Sequence, residues 1–292
     1  MTSMSSMTSM SSMFNKSQVI NNKIKTILQK HGYILDELPN KLLNYEIGKL
    51  LFIYMFRLDE LYDILIIDEE ICKLAVSMRP NNLEFVPSNR INEEICKLAC
   101  EKDGLTLKLV PVNIINEEIC KLAVKNTGNI LEYVPKNIIN EEICKLAVQQ
   151  YGLSIIFVPL NILNKEICKL AVMQNGWALE YISTKINKHL IDEEICKLAV
   201  KNNLHSINAI KEDINLLEEI SIFLVSQDGK NIKYLKYKNT NIINCAVRNN
   251  GTVLKYLLPS QITQKICELA IEQTKDALEF VPKEIKKQLG IE

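Results

Sequence analysis

Apolar and polar positions recur along this chain with a period of 24 residues. The hexapeptide EICKLA occurs six times, and successive copies are 24, 24, 24, 24 and 28 residues apart. A fixed period of this length is typical of solenoid proteins, in which each small repeat buries its apolar face against its neighbours. The copies begin at Glu70, Glu94, Glu118, Glu142, Glu166 and Glu194.

Residues 116–140 show how one repeat is built. Asn116 is a suitable N-cap, and from Ile119 onward apolar residues at i, i+3 and i+4 form one stripe on a helix. Gly128 lies where a residue in the left-handed conformation would end this helix, and Pro135 stops the shorter second helix that follows. The same residue types recur in neighbouring repeats as Gly152, Gly176, Pro111 and Pro159.

This pattern predicts an all-α fold, a right-handed-type α-solenoid of about 11 stacked helix-turn-helix repeats. Residues 1–17 are a Met/Ser/Thr tail, for which we expect disorder, and residues 18–292 form the repeat domain. The repeats are best defined in 68–200 and degenerate in 18–67 and 201–245. Fainter copies keep the register of the hexapeptide's alanine at Ile27, Leu51, Leu224, Ala246 and Ala270.

The cysteines follow the repeat rather than any metal or disulfide pattern. There is no CxxC and no Cys/His cluster, and helices stacked about 8–10 Å apart are too distant for disulfides. We therefore expect small buried apolar residues, reduced thiols and a cytoplasmic location, with no metal and no cofactor. Six of the nine cysteines share one repeat position: Cys72, Cys96, Cys120, Cys144, Cys168 and Cys196.

The remaining chemistry argues against an enzyme. The Glu-Glu…Lys pattern recurs in most repeats, where capping and i,i+4 pairing such as Glu117 with Lys121 explain it, whereas a catalytic pair is needed once. His31, His189 and His205 are isolated in the sequence. The net charge of zero disfavours nucleic acid as a partner, and no apolar run approaches the ~20 residues that span a membrane.

The repeat xxEICKLAVxxNGxxLEYVPxxI resembles a short helical repeat of unknown function, common in large DNA viruses of amoebae. Its hallmarks are the Asn-Gly-aromatic sequence at 175–177 and the Leu-Glu-Tyr-Val-Pro ending at 131–135. The resemblance covers about 20–292 and brings no catalytic residues to carry over. It implies a non-enzymatic repeat scaffold of viral origin. A codon bias towards A and T fits that origin, since 31 of the 35 basic residues are Lys.

Three side chains are candidates for contact with a partner: Trp177, Tyr151 and Arg79. Trp177 is the only Trp and replaces the Leu or Asn of sister repeats, so either partner contact or packing against the next repeat explains it. A four-residue insertion near 183–190 interrupts the period. It either forms a specific site or reflects relaxed divergence of the repeat sequence.

The sequence therefore predicts a scaffold for protein–protein interaction whose unknown partners are host proteins if the chain is viral. Residues 38–51 loosely resemble an F-box, so a substrate adaptor of a ubiquitin ligase is one alternative. A structural component of a particle is another.

Overall fold

The computed structural model of the chain describes residues 69–185, 190–210 and 213–291. Several predictions therefore concern residues outside this part: the tail 1–17, the repeats of 18–67, the F-box-like segment 38–51, His31 and His189. The described residues fall into two compact units, divided between Ile138 and Ile139. Each unit is an α-solenoid of short repeats, and the described part of the chain contains helices but no strand.

The first helix of each repeat is an α-helix, and neighbouring first helices pack side by side within a unit. In the N-terminal unit they are α1 (Glu69–Met78), α2 (Glu93–Lys102) and α3 (Glu117–Asn126). In the C-terminal unit they are α4 (Glu141–Gln150), α5 (Lys165–Gln174), α7 (Glu193–Asn202), α8 (Ile214–Gln227), α9 (Thr240–Asn249) and α10 (Gln264–Gln273). A last helix, α11, spans Lys283–Leu289.

Helix α4 shows why this sequence forms a buried helix. Asn140 holds the repeat position of Asn116, and its side chain accepts a hydrogen bond from the Ile143 amide at 3.0 Å, so the N-cap predicted for this position is confirmed. Ile143 and Cys144 lie one turn before Ala147 and Val148, and all four are 0% exposed. Burying a side chain the size of Ile stabilises the fold by about 1.5–3 kcal/mol, so the repeated stripe is the main cohesive element.

The second helix of most repeats is a six-residue 3₁₀ helix. Its backbone bonds join residues three apart, as in Ser154 N–H to the Tyr151 carbonyl at 2.8 Å. In five of the eight described six-residue helices the residue after the helix is an extended valine that precedes a proline, such as Val158 before Pro159. These helices are Pro80–Phe85, Gly104–Leu109, Gly128–Tyr133, Gly152–Phe157, Leu204–Ala209, Gly229–Tyr234, Gly251–Tyr256 and Lys275–Phe280, with a shorter one at Pro259–Gln261.

The predicted left-handed glycine at the end of the first helix is wrong. Among the described residues the only glycine with a positive φ is Gly290, at 67°. In the repeat of Gly128 the helix instead ends at Asn126 and is followed by Thr127, whose backbone is extended, and the glycine is the first residue of the 3₁₀ helix. The small residue is needed for a close approach between repeats, described below, and not for its conformational freedom.

The irregular repeats keep the same plan. After α5 the second helix is α-helical, α6 (Ala178–Lys185), at the point where the sequence carries its insertion. The degenerate stretch 201–245 retains the alternation of first and second helices, with α8 lengthened to 14 residues. The predicted register is confirmed, because Leu224, Ala246 and Ala270 are buried in α8, α9 and α10.

Candidate partner-binding surface

The Glu and Lys side chains of the first helices pair along and between repeats. Lys97 contacts Glu93 in its own helix at 2.8 Å and Glu118 in the next at 2.5 Å. The carboxylates of Glu118 and Glu93 raise the pKa of Lys97, while Lys97 and Asn116 lower the pKa of Glu93. The predicted pairing of Lys121 with Glu117 is confirmed at 2.8 Å. These groups are therefore committed to holding neighbouring repeats together.

The N-cap residues also join one repeat to the next. Asn164 caps α5 and donates its amide N–H to the Glu141 carboxylate of the preceding helix at 2.9 Å. One step later both partners change together, because Lys165 replaces the glutamate and Asp192 replaces the asparagine cap. Lys165 and Asp192 form an ion pair at 2.9 Å. The paired change keeps an attractive contact at this junction.

Glycine and an amide side chain form a second junction between repeats. The Gly152 amide donates to Gln174 Oε1 at 2.6 Å, and Gln174 Nε2 donates to the Gln150 carbonyl at 3.2 Å. A Cβ on Gly152 would come within 3.0 Å of the Ala171 carbonyl oxygen, so only glycine fits. This contact is not among those predicted from the sequence. It recurs at Gly104 with Asn126, Gly176 with Asn202, Gly229 with Asn249, and Gly251 with Gln273.

The repeated cysteines lie in the core. All nine cysteines belong to the described residues and are free thiols, and Cys245 alone is partly exposed. Burial raises the pKa of Cys96 and Cys196 to about 12 and that of Cys144 and Cys168 to about 11. Such thiols stay protonated at neutral pH and are poor nucleophiles. Within the described residues no three His, Cys, Asp or Glu side chains come together as a metal site.

Aromatic rings cluster on and directly before the second helices of the C-terminal unit. The rings of Trp177 and His205 are stacked, with centroids 6.5 Å apart and planes 8° from parallel. Tyr234 meets His205 edge-on at 5.5 Å. Stacking of the repeats thus brings His205, which is isolated in the sequence, against the rings of Trp177 and Tyr234. The signal in the sequence is that Trp177 and His205 hold the same repeat position, each six residues after the alanine of an EICKLA copy.

A pocket of about 180 Å³ opens beside this cluster. Next to it lies a second pocket of about 260 Å³, and the two share Asn208 and Lys236. The first pocket is lined by Trp177, Glu180, His205, Ser206, Asn208, Ala209 and Lys236.

The structure separates the three predicted contact residues. Trp177 is 45% exposed and lies at the pocket, whereas Tyr151 is 41% exposed and does not line it. Arg79 is exposed and belongs to the N-terminal unit. Trp177 thus shows both features that its sequence position left open, contact with the next repeat and an exposed face. Its role towards a partner stays a prediction.

No helix among the described residues is long and apolar enough to cross a membrane. The protein is an α-solenoid repeat protein. Its first helices stack side by side, bury the repeated cysteine and alanine positions, and are joined by the junctions between repeats.

A family model described as Domain of unknown function (DUF4116) matches five overlapping stretches, each covering two repeats. Together they run from residue 68 to residue 215, half of the 292-residue chain, so the chain belongs to this family. The predicted membership of a short-repeat family of unknown function is confirmed. No curated protein and no solved structure matches the chain. The matched residues are 68–115, 92–139, 116–163, 140–187 and 164–215.

Proposed function

We propose that the protein is a non-enzymatic, cytoplasmic scaffold that binds a protein partner through its second helices and the segments on either side of them. This surface is called the second-helix surface below. The observation that carries the proposal is that large apolar side chains lie exposed there. In the C-terminal unit Tyr151, Ile156, Leu160 and Trp177 are 41%, 40%, 68% and 45% exposed.

The distribution of identical and varying residues supports the same surface. Side chains that are identical from repeat to repeat are buried, as Ile143 and Cys144 are, or engaged in pairs, as Lys145 is with Glu141 and Glu166. The exposed apolar residues vary between repeats, as Trp177 does. Aromatic and large apolar residues are the usual anchors of protein interfaces.

The resemblance to repeats of large DNA viruses and the excess of Lys over Arg support a finer version of the proposal, in which a viral protein acts on host partners. The free thiols support a reducing compartment.

Site-specific photo-crosslinking tests the proposal. A photoreactive amino acid replaces Tyr151 or Leu160 in the full chain, and Lys265, exposed on the first helix α10, serves as the matched control position. Exposed to lysate of the native host cell, the second-helix positions should yield the same discrete crosslinked protein, and the control should not. If the three positions give the same products, or the two second-helix positions give none, the proposal is wrong.

A further inference from the structure

The pocket beside Trp177 contains a buried hydroxyl group with no partner. Ser206 is 2% exposed, lines the pocket, and its Oγ forms no hydrogen bond with a described residue. Asn208 also lines the pocket and donates one amide N–H to the His205 carbonyl at 3.0 Å, while its second amide N–H has no partner in the described part of the chain. A buried hydroxyl without a partner costs free energy, which a ligand that accepts its hydrogen bond would recover.

A cation completes the pocket. Lys236 lines both adjoining pockets and forms no ion pair with a described residue, in contrast to Lys145 and Lys169 of the first helices. Ser206, Asn208 and Lys236 therefore line one cavity together. One carboxylate, Glu180, also lines the cavity and opposes an anion there.

The stretch 228–258, which contributes Lys236 to the pocket, is basic although the whole chain is neutral. Residues 228–258 hold six basic side chains against one acidic one, a net charge of +5. At the start of α9, Thr240 and Asn241 stand where α4 has two glutamates, which removes the negative charge found in other repeats. The basic residues are Lys230, Lys233, Lys236, Lys238, Arg248 and Lys255.

Aromatic rings hold two of these lysines at the surface. Lys233 lies over the Tyr234 ring at 4.7 Å, and Lys255 lies over Tyr256 and Phe280 at 5.2 Å each. Cation–π contacts of this kind fix an ammonium group without neutralising it. The lysines also occupy ring faces on which nucleic-acid bases would have to stack, which favours a protein ligand over a single strand.

We propose that the pocket and the basic residues 228–258 bind an acidic segment of a protein partner. One carboxylate of that segment enters the pocket and accepts a hydrogen bond from Asn208 beside the Lys236 ammonium. It accepts a second one from Ser206 once that hydroxyl, which lies buried against Gly176, turns towards the cavity. Further carboxylates pair with Lys233 and Lys255. This inference rests on the proposed scaffold function and names the chemistry of the partner.

Trp177 provides the readout, since it is the only Trp of the chain and forms part of the pocket wall. The full chain is titrated with a glutamate-rich decapeptide, with its glutamine counterpart, and with a single-stranded oligonucleotide of ten thymidines. The glutamate peptide should change the Trp fluorescence saturably, with a Kd on the order of 10–100 μM for so small an interface. The glutamine peptide should bind at least about tenfold more weakly.

Matched variants locate the contact. Lys236→Gln should weaken the binding of the glutamate peptide by about tenfold. Lys265→Gln makes the same change of charge and should leave the Kd of this peptide unchanged. Ser206→Ala should weaken the binding of this peptide by roughly fivefold. It should not lower the urea midpoint, because the Ser206 hydroxyl forms no hydrogen bond with a described residue that the substitution could remove. Ser154→Ala removes another buried hydroxyl without a partner, away from the pocket, and should not affect binding. Glu180→Gln should tighten binding.

Three results would each overturn the acidic-segment proposal. They are equal binding of the two peptides, equal effects of Lys236→Gln and Lys265→Gln on the Kd, and binding of the oligonucleotide in place of the peptide. The crosslinking from Tyr151 and Leu160 uses positions outside the pocket. If the chain crosslinks to a partner from these positions but does not bind the acidic peptide, the scaffold function is supported and only the acidic-segment proposal is wrong.

Discussion

The first and second helices of a repeat contrast in how much of their sequence is fixed by packing. In α4 almost every side chain is engaged, with Cys144 and its apolar neighbours buried and Lys145 paired with Glu141 and Glu166. In the 3₁₀ helix Gly152–Phe157 only the glycine and the buried residues are constrained, and Ile156 lies exposed. Near-identical first helices therefore build the stack, and the variable second helices leave residues available for binding.

The largest effect on the free energy of unfolding should come from raising the pH, because the first helices bury protonated thiols. Burial raises the pKa of Cys144 and Cys168 from the ordinary 9.0 to about 11, so these thiols stay protonated in the folded chain while the unfolded chain releases their protons. Their contribution is fully present below pH 9 and is lost between pH 9 and about 11. Each thiol should lower the free energy of unfolding by at most about 1.4 kcal/mol per pH unit.

Urea denaturation under reducing conditions at pH 8, 9 and 10 measures this loss. The double variant Cys144→Ala/Cys168→Ala should show a slope flatter by at most about 2.8 kcal/mol per pH unit. Comparing slopes rather than stabilities removes the cost of the truncations themselves. An unchanged slope in the double variant would show that these thiols do not cause the alkaline loss.

The first helices could be predicted almost completely, because period, caps and apolar stripe all point to one structure. Asn140 caps α4 as its residue type predicts, and Leu224 keeps the register in the divergent α8. The second helices were predicted in position but not in type. Six residues between a glycine and a proline favour no helix type by periodicity alone, and packing against the next repeat decides it.

Substituting the glycine at the junction between the two helices should give the next largest effect. Gly152→Ala places a methyl group against the Ala171 carbonyl and within 2.9 Å of Gln174 Oε1. Both belong to a packed neighbour, so we expect a loss of about 2–3 kcal/mol in the free energy of unfolding. Gly290→Ala is the control, with nothing within 4 Å and only its φ of 67° to strain it, at a cost of about 1 kcal/mol. Equal losses in urea denaturation would refute the steric explanation.

The sequence contains a signal for the amide contact at this junction, namely a glycine paired with an amide residue at a fixed spacing. Gly104 is followed 22 residues later by Asn126, and Gly152 by Gln174 at the same spacing. Where Pro80 replaces the glycine and offers no N–H, the corresponding position is Lys102. A single repeat shows no reason for the amide, since its partner lies in the preceding repeat. Comparison of repeats with one another would have revealed it.

The smallest effect should come from the charge exchange at Lys165 and Asp192. Partial burial raises the pKa of Asp192, but the hydrogen bond from the Ile195 amide and the Lys165 ammonium together bring it below its ordinary 3.8. The contribution of this carboxylate is therefore present at neutral pH and is lost as the pH falls below about 4. Lys165→Glu places two carboxylates together and should cost roughly 0.5–1 kcal/mol at pH 7.

Adding Asp192→Asn to Lys165→Glu should restore that stability, because it recreates the Glu–Asn pair seen between Glu141 and Asn164. The single variant Asp192→Asn should fall between the wild type and Lys165→Glu, since it keeps the cap but loses the ion pair. A double-mutant cycle from urea midpoints at pH 7 measures the coupling. If the two effects simply add, the exchange is incidental, and the first helices owe their cohesion to the buried stripe and the glycine junction rather than to surface pairing between repeats.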